Sequence, residues 1–198
     1  MKIFKFSKNK NTYADSFSLS LTAVFGVLCH SDDRVMREIR DCLLNTELYF
    51  AEHQEQFDKR DIVYSFGGEK WIQLISAVDA MEACGYAVEL DSKATSKDFV
   101  AALDKILAVN NIEFSLKNLQ FVHERTITDW TAQFNEYAGQ SGITIYSIDI
   151  DSENFVLGAA QLADYAEAAN IGAMSGITIS CRLNTTAGAD SDDNGTPA

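Results

Sequence analysis

Apolar residues recur at intervals of three and four positions along much of the chain, which is the pattern of amphipathic helices. This spacing predicts helices over residues 16–30, 34–44, 46–58, 69–84, 96–109, 129–138 and 160–170. The helix over 69–84 has the widest apolar face, and Gly85 follows it where a left-handed helix cap belongs. In the last helix we expect Leu162, Tyr165 and Ala166 to face inward.

Short runs of alternating or β-branched residues predict the strands. They lie at residues 61–66, 86–90, 116–122 and 177–181, with a hairpin over 143–157. We therefore expect one α/β (α+β) domain over residues 1–183. Its mixed sheet has about five strands and a C-terminal β-hairpin, with helices packed on it and the extra N-terminal helices on one side. Residues 1–12 are expected to be loose, and 184–198 to form a disordered acidic tail because alanines are its only apolar residues.

The hairpin sequence ITIYSIDIDSENFVL places two short strands around a tight acidic turn. Asp149, Asp151 and Glu153 alternate there as the first three ligands of a calcium-binding EF-hand loop do. Such a loop also needs glycine at its sixth position and glutamate at its twelfth, where this chain has Asn154 and Ala160. The calcium pattern therefore fails, and no metal site is predicted from it.

Two strand ends carry carboxylates that the fold can bring together. Asp149 and Asp151 follow the first strand of the hairpin, and Glu89 and Asp91 lie at and directly after the end of the strand over 86–90. If the two strands are neighbours, these carboxylates converge, which would raise one pKa or recruit a cation. Three interpretations stay open, namely a solvated turn, a protein-binding patch and a divalent-cation site. The candidate binding residues are Glu89, Asp91, Asp149, Asp151 and Glu153.

The sequence carries no recognisable catalytic motif. It lacks a phosphate-binding P-loop, the G-x-G-x-x-G dinucleotide fingerprint and the G-x-S-x-G nucleophile elbow. The three histidines are too far apart to form a metal-binding pair on one helix. No cofactor and no catalytic residue is predicted, although a dyad assembled from distant residues, such as Cys84 with His123, stays open. Trp71 and Trp130 each open a helix, and we expect both in the core.

Composition narrows the class of partner. The 198 residues include 29 acidic and 16 basic ones, which gives a formal net charge of −13. Such a charge argues against binding to nucleic acid or to an anionic membrane, and it suits a basic protein partner. The apolar stretch over 17–29 is too short to span a membrane, and the N terminus lacks the apolar core of a signal peptide. The four cysteines form no C-x-x-C pair, so we expect a reduced, cytoplasmic chain, with its oligomeric state left open.

The order of motifs from residue 69 to 183 resembles a known family. These motifs are Gly85-Tyr86 followed by the strand end over 88–91, the helix opening over 127–130 and the hairpin over 147–157. They are similar to those of an uncharacterised family of small, acidic bacterial proteins, described as a domain of unknown function. The resemblance implies an α/β fold and supplies no catalytic residues.

Small acidic bacterial proteins often serve as immunity proteins against toxins, and this analogy of size and charge extends to the present chain. We therefore expect a non-enzymatic, cytoplasmic protein-binding module that acts through an acidic surface, including the toxin-immunity type. The alternative is a metal-dependent or hydrolytic enzyme that uses the clustered carboxylates.

Overall fold

A computed structural model of the chain describes residues 15–182. The expected loose N-terminal stretch 1–12 and the expected acidic tail 184–198 lie outside the described residues. Within 15–182 the helices are α1 (Ser16–Leu28), α2 (Asp33–Leu44), α3 (Thr46–Glu52), α4 (Gln54–Asp58), α5 (Tyr64–Cys84), α6 (Ser96–Val109), α7 (Ile127–Ala138) and α8 (Leu162–Ala173). The strands are β1 (Ala87–Leu90), β2 (Ile143–Ile148), β3 (Phe155–Gln161) and β4 (Ile179–Ser180).

The strands form one four-stranded sheet in the order β1-β3-β2-β4. Within residues 15–182 every pairing is antiparallel, so the predicted mixed sheet of about five strands is corrected to a four-stranded antiparallel one, while the α/β class is confirmed. The strands of the predicted hairpin, β2 and β3, pair with Tyr146 opposite Gly158. On its other side β3 pairs with β1, which places Leu90 opposite Phe155.

Helices cover both faces of the sheet, because alternate residues along each strand point into two separate cores. Tyr146 and Ile148 of β2 join a core with α1, α2, α3, α5 and α8, on what we call the first face. Ile143 and Ile145 join a core with α6 and α7 on the second face. The N-terminal helices all pack on the first face, as expected.

Two predicted strands are wrong. Residues 61–66 do not form a strand, since α5 begins at Tyr64 and its first turn is followed by a kink at Gly68, which has a φ of 71°. Residues 116–122 form a 3₁₀ turn followed by irregular backbone. The Trp130 indole N–H and the Gln133 amide of α7 donate to carbonyls in this second segment, so side chains supply partners that a neighbouring strand would otherwise provide.

Several helix boundaries also differ from the sequence pattern. The helix over 46–58 is two helices that meet at His53, and α7 begins before the predicted residue 129 because Thr126 caps it. Strand β3 continues to Gln161, so α8 starts later than residue 160. The side of α8 that faces the core therefore differs from the predicted one. Leu162 and Ala166 are exposed, and the buried positions of α8 are Ala168 and Gly172.

Both predicted core tryptophans lie in or beside a core. Trp130 is buried in the second-face core, and its indole N–H donates to the Val122 carbonyl at 2.8 Å. Trp71 is half-buried against the first-face core. All four cysteines, which lie within residues 15–182, are free thiols. No helix in this described part of the chain is long and apolar enough to cross a membrane.

Candidate functional site

Residues 149–154, which connect β2 to β3, form what we call the acidic loop. The side chains of Asp149, Asp151 and Glu153 are all exposed. Asp149 Oδ1 accepts the backbone N–H of Asp151 at 2.9 Å, and Ser152 Oγ accepts that of Asn154 at 3.1 Å. Asp151 has a φ of 57°, a left-handed conformation that aspartate and asparagine tolerate better than most residues. Locally, therefore, the loop is a turn built by its own polar side chains.

Contacts from outside the loop also fix its position. The side chain of Ile150 is buried in the first-face core, and its carbonyl accepts the Trp71 indole N–H at 3.3 Å. The Asp149 backbone N–H donates to the Thr178 carbonyl at 3.0 Å. At the other end of the loop, Asn154 Nδ2 donates to Glu89 Oε1 of β1 at 2.8 Å. The exposed carboxylates are thus carried on an anchored backbone.

Glu89 belongs to a charged group that we call the Arg60 cluster, formed by Arg60, Asp79, Glu82 and Glu89. Arg60 Nη1 donates to Glu89 Oε2 at 2.5 Å, and Nη2 donates to Asp79 Oδ1 at 2.6 Å and to Glu82 Oε2 at 3.1 Å. These four side chains are only 11–23% exposed. Asp79 and Glu82 lie three residues apart on α5 and so share one side of the helix.

One guanidinium faces three carboxylates in this cluster, which leaves an excess of negative charge. Burial raises the pKa of Glu82, the charge of Glu89 raises it further, and Arg60 opposes both effects. Burial alone would lower the pKa of Arg60, but the carboxylates of Asp79 and Glu89 outweigh it and the pKa is raised. Arg60 therefore stays charged and stabilises its acidic neighbours.

An open depression of about 450 Å³ is bordered by residues of both the Arg60 cluster and the acidic loop. Its lining residues are Lys59, Arg60, Glu89, Ser152 and Asn154. Enzyme and cofactor pockets are usually enclosed and mostly apolar, with a few polar groups at fixed positions. This depression is lined by polar side chains and open to solvent, and both carboxylate oxygens of Glu89 already accept hydrogen bonds.

The predicted site residues do not share one cluster. Strand β3 lies between β1 and β2, so the backbones of those two strands are roughly 10 Å apart and the condition for convergence is not met. Glu89 faces Arg60, whereas Asp91 accepts the Lys93 backbone N–H in the turn after β1. Within residues 15–182, no group of three or more His, Cys, Asp or Glu side chains is placed to hold a metal ion. The register does bring Asp91 and the acidic loop to the same end of the sheet.

The open possibility of a Cys84–His123 dyad finds no support in the contacts of either residue. His123 Nδ1 lies 2.7 Å from Ser96 Oγ, at the start of α6. Cys84 ends α5, where burial raises the pKa of its thiol. A nucleophilic cysteine needs a lowered pKa, so this environment favours an unreactive thiol.

Sequence reasoning missed Arg60, Asp79, Glu82 and Asn154. Arg60 precedes a segment whose pattern predicts a strand, which hid its position beside α5. A signal did exist on α5, where Asp79 and Glu82 place two acids on one side of a largely apolar helix. Buried carboxylates of this kind need a cationic partner, but the sequence does not say which of the basic residues supplies it.

Comparison with known proteins agrees with the resemblance noted in the sequence. The chain matches the family model of a domain of unknown function, DUF6630, over residues 20–183. The chain belongs to this family. The match begins well before residue 69, so α2 to α5 are part of the family domain. No curated protein and no solved structure matches the chain.

Proposed function

We propose that this DUF6630 protein is a non-enzymatic, cytoplasmic module that binds a basic protein partner through the acidic loop and the adjoining end of the sheet. The observation that carries the proposal is the combination of exposure and anchoring. Asp149, Asp151 and Glu153 are exposed on a backbone that the core, Trp71 and Glu89 hold in place. A loop that is ordered before binding loses less conformational entropy when a partner docks.

Charge supports the same proposal. The protein carries a net charge of −13, and clustered exposed carboxylates attract a basic partner over long range. Asp91 lies at the same end of the sheet and extends the acidic surface beyond the loop. The partner class that fits is a protein with lysines and arginines on a folded surface, including a cationic toxin of the kind that immunity proteins inhibit.

The alternative, a metal-dependent or hydrolytic enzyme, requires carboxylates that converge on a substrate. In the described part of the chain, Arg60 binds all three carboxylates of the Arg60 cluster, and the similarly buried Asp32 accepts from Arg34 and Tyr86. The exposed carboxylates of the candidate site, on the acidic loop and on the turn after β1, belong to separate turns. No specific contact among residues 15–182 favours the enzymatic alternative, so we do not propose it.

The proposal is tested by affinity capture from a lysate of the source cell at low salt, with three versions of the protein as bait. Mass spectrometry then identifies the retained proteins. The loop variant is Asp151→Asn with Glu153→Gln, because asparagine keeps the left-handed conformation at 151. The matched control is Asp104→Asn with Glu113→Gln, which removes two exposed charges on and after α6. We expect a partner retained by the wild type and the control and lost from the loop variant. Equal retention by all three proteins, or no retained protein at low salt, would contradict the proposal.

A further inference from the structure

We infer that Asn154 is a positioning residue of the binding surface, because its side-chain amide ties the acidic loop to the Arg60 cluster through Glu89. This inference rests on the proposed function. It adds that binding depends on how the loop is held, and not only on how much negative charge it carries.

The hydrogen bonds that join the loop to the cluster, which we call the tether, use both oxygens of the Glu89 carboxylate. Asn154 Nδ2 donates to Glu89 Oε1 at 2.8 Å, and Arg60 Nη1 donates to Glu89 Oε2 at 2.5 Å. Arg60 is fixed in turn by Asp79 and Glu82 of α5. The loop is thereby joined to β1 and to the longest helix on the first face.

The two ends of the acidic loop have different supports. The first half is held by the buried side chain of Ile150 and by the Trp71 indole. In the second half, Ser152 and Asn154 bond to each other within the loop, and the Asn154 amide reaches outside it. Glu153 lies in this second half, so its placement depends on the tether.

Asn154→Asp separates the two contributions to binding, because aspartate has nearly the same shape and adds a negative charge. If charge alone determines binding, this variant binds a basic probe more tightly than the wild type. If the tether matters, the new carboxylate repels Glu89, the loop loosens and binding weakens. The two mechanisms therefore predict opposite signs.

A charge swap supplies the rescue. In Glu89→Gln with Asn154→Asp, the amide nitrogen of the new glutamine can donate to the new aspartate, while the glutamine oxygen accepts from Arg60. The hydrogen bond is restored with its polarity reversed, and the net charge of the protein equals that of the wild type. Glu89→Gln alone is the control for the loss of the negative charge that pairs with Arg60.

The test combines amide hydrogen exchange of residues 151 and 154 with binding of poly-L-lysine at low salt. For Asn154→Asp we expect these amides to exchange about tenfold faster, which corresponds to the loss of one hydrogen bond. We also expect this variant to bind poly-L-lysine several-fold more weakly than the wild type does. Both values should return toward wild type in the charge swap. Unchanged exchange in Asn154→Asp, or tighter binding by that variant, would overturn the inference. A third outcome separates the two proposals. If amide exchange is faster in Asn154→Asp and returns to the wild-type rate in the charge swap, the tether is supported. If even the wild type then fails to bind poly-L-lysine, the proposed function is contradicted.

Discussion

The ring of Tyr146 on β2 lies directly over Gly158, its partner across the β2–β3 ladder. A β-carbon added at Gly158 would approach the Tyr146 ring and hydroxyl to 2.4 Å, well inside van der Waals contact. Tyr146 is completely buried in the first-face core, so it has no free space to move into. The glycine is therefore a packing requirement of the two central strands.

Gly158→Ala should destabilise the protein by about 1–3 kcal/mol, the usual cost of forcing extra volume into a packed core. Urea unfolding measures the change. The matched control is Gly139→Ala, because Gly139 has a helical φ of −59° and nothing within 4 Å of an added β-carbon. That control should lie within about 0.5 kcal/mol of the wild type. Equal stability of the two variants would contradict the packing argument.

Arg60→Met should destabilise the protein by about 3 kcal/mol, because it leaves three largely buried carboxylates without their cation. The methionine side chain fills most of the same space, so the loss reports on charge more than on packing. Arg37→Met removes an exposed arginine of α2 and serves as the control in the same urea titration. A loss of under about 1 kcal/mol for Arg60→Met would mean that the cluster is solvated like a surface ion pair.

The pH dependence of stability should depend on Glu82. Burial and the charge of Glu89 raise its pKa above the ordinary value of 4.5, so the folded state binds a proton more tightly than the unfolded state. The wild type therefore loses stability as pH rises from 4.5 through the raised pKa. Glu82→Gln lacks this proton, and its oxygen can still accept from Arg60. Relative to the wild type, the variant should gain stability across that window.

Urea unfolding at several pH values between about 2 and 7 measures this difference and also covers the window of the control. Asp98→Asn is the control of opposite sign, because hydrogen bonds from Thr95 lower the pKa of Asp98 below 3.8. The stability that Asp98 contributes is present above 3.8 and is lost as pH falls. If the free energy of unfolding changes with pH in the same way in the wild type and in Glu82→Gln, Glu82 has an ordinary pKa.

Local patterns predict much of this fold because the relevant physics is local. The left-handed Gly85 and the strands of the hairpin each depend on residues close in sequence. One failure, at residues 116–122, occurs where side chains of another element complete the backbone hydrogen bonds. Residues 116–122 have a strand-like composition, but Trp130 and Gln133 of α7 take the place of a neighbouring strand.

The candidate site shows the same limit. The exposed turn at Asp149 and Asp151 follows from turn chemistry and is visible in the sequence. The distance between that turn and Glu89 depends on strand order, which no local pattern encodes. Strand β3 lies between β1 and β2, so Asn154 meets Glu89 instead of the aspartates.

A last prediction concerns Asn135 of α7, whose side chain pairs with β2 as a strand would. Its Nδ2 donates to the Ile145 carbonyl at 2.8 Å and to the Cys181 carbonyl at 3.0 Å, and its Oδ1 accepts the Ile145 N–H at 2.7 Å. In Asn135→Asp, a carboxylate faces both carbonyls, which should cost about 1–3 kcal/mol at neutral pH. The aspartate at 135 should have a raised pKa, because its protonated form can donate one of the lost bonds.

The destabilisation of Asn135→Asp should therefore shrink as pH falls from about 7 toward 4, since a group with a raised folded-state pKa stabilises the fold when protonated. Urea unfolding at each pH gives the measurement. Asn170→Asp, at an exposed position of α8, is the matched control and should show no such recovery. If Asn135→Asp costs no more than the control at neutral pH, Asn135 is not required to complete this part of the sheet.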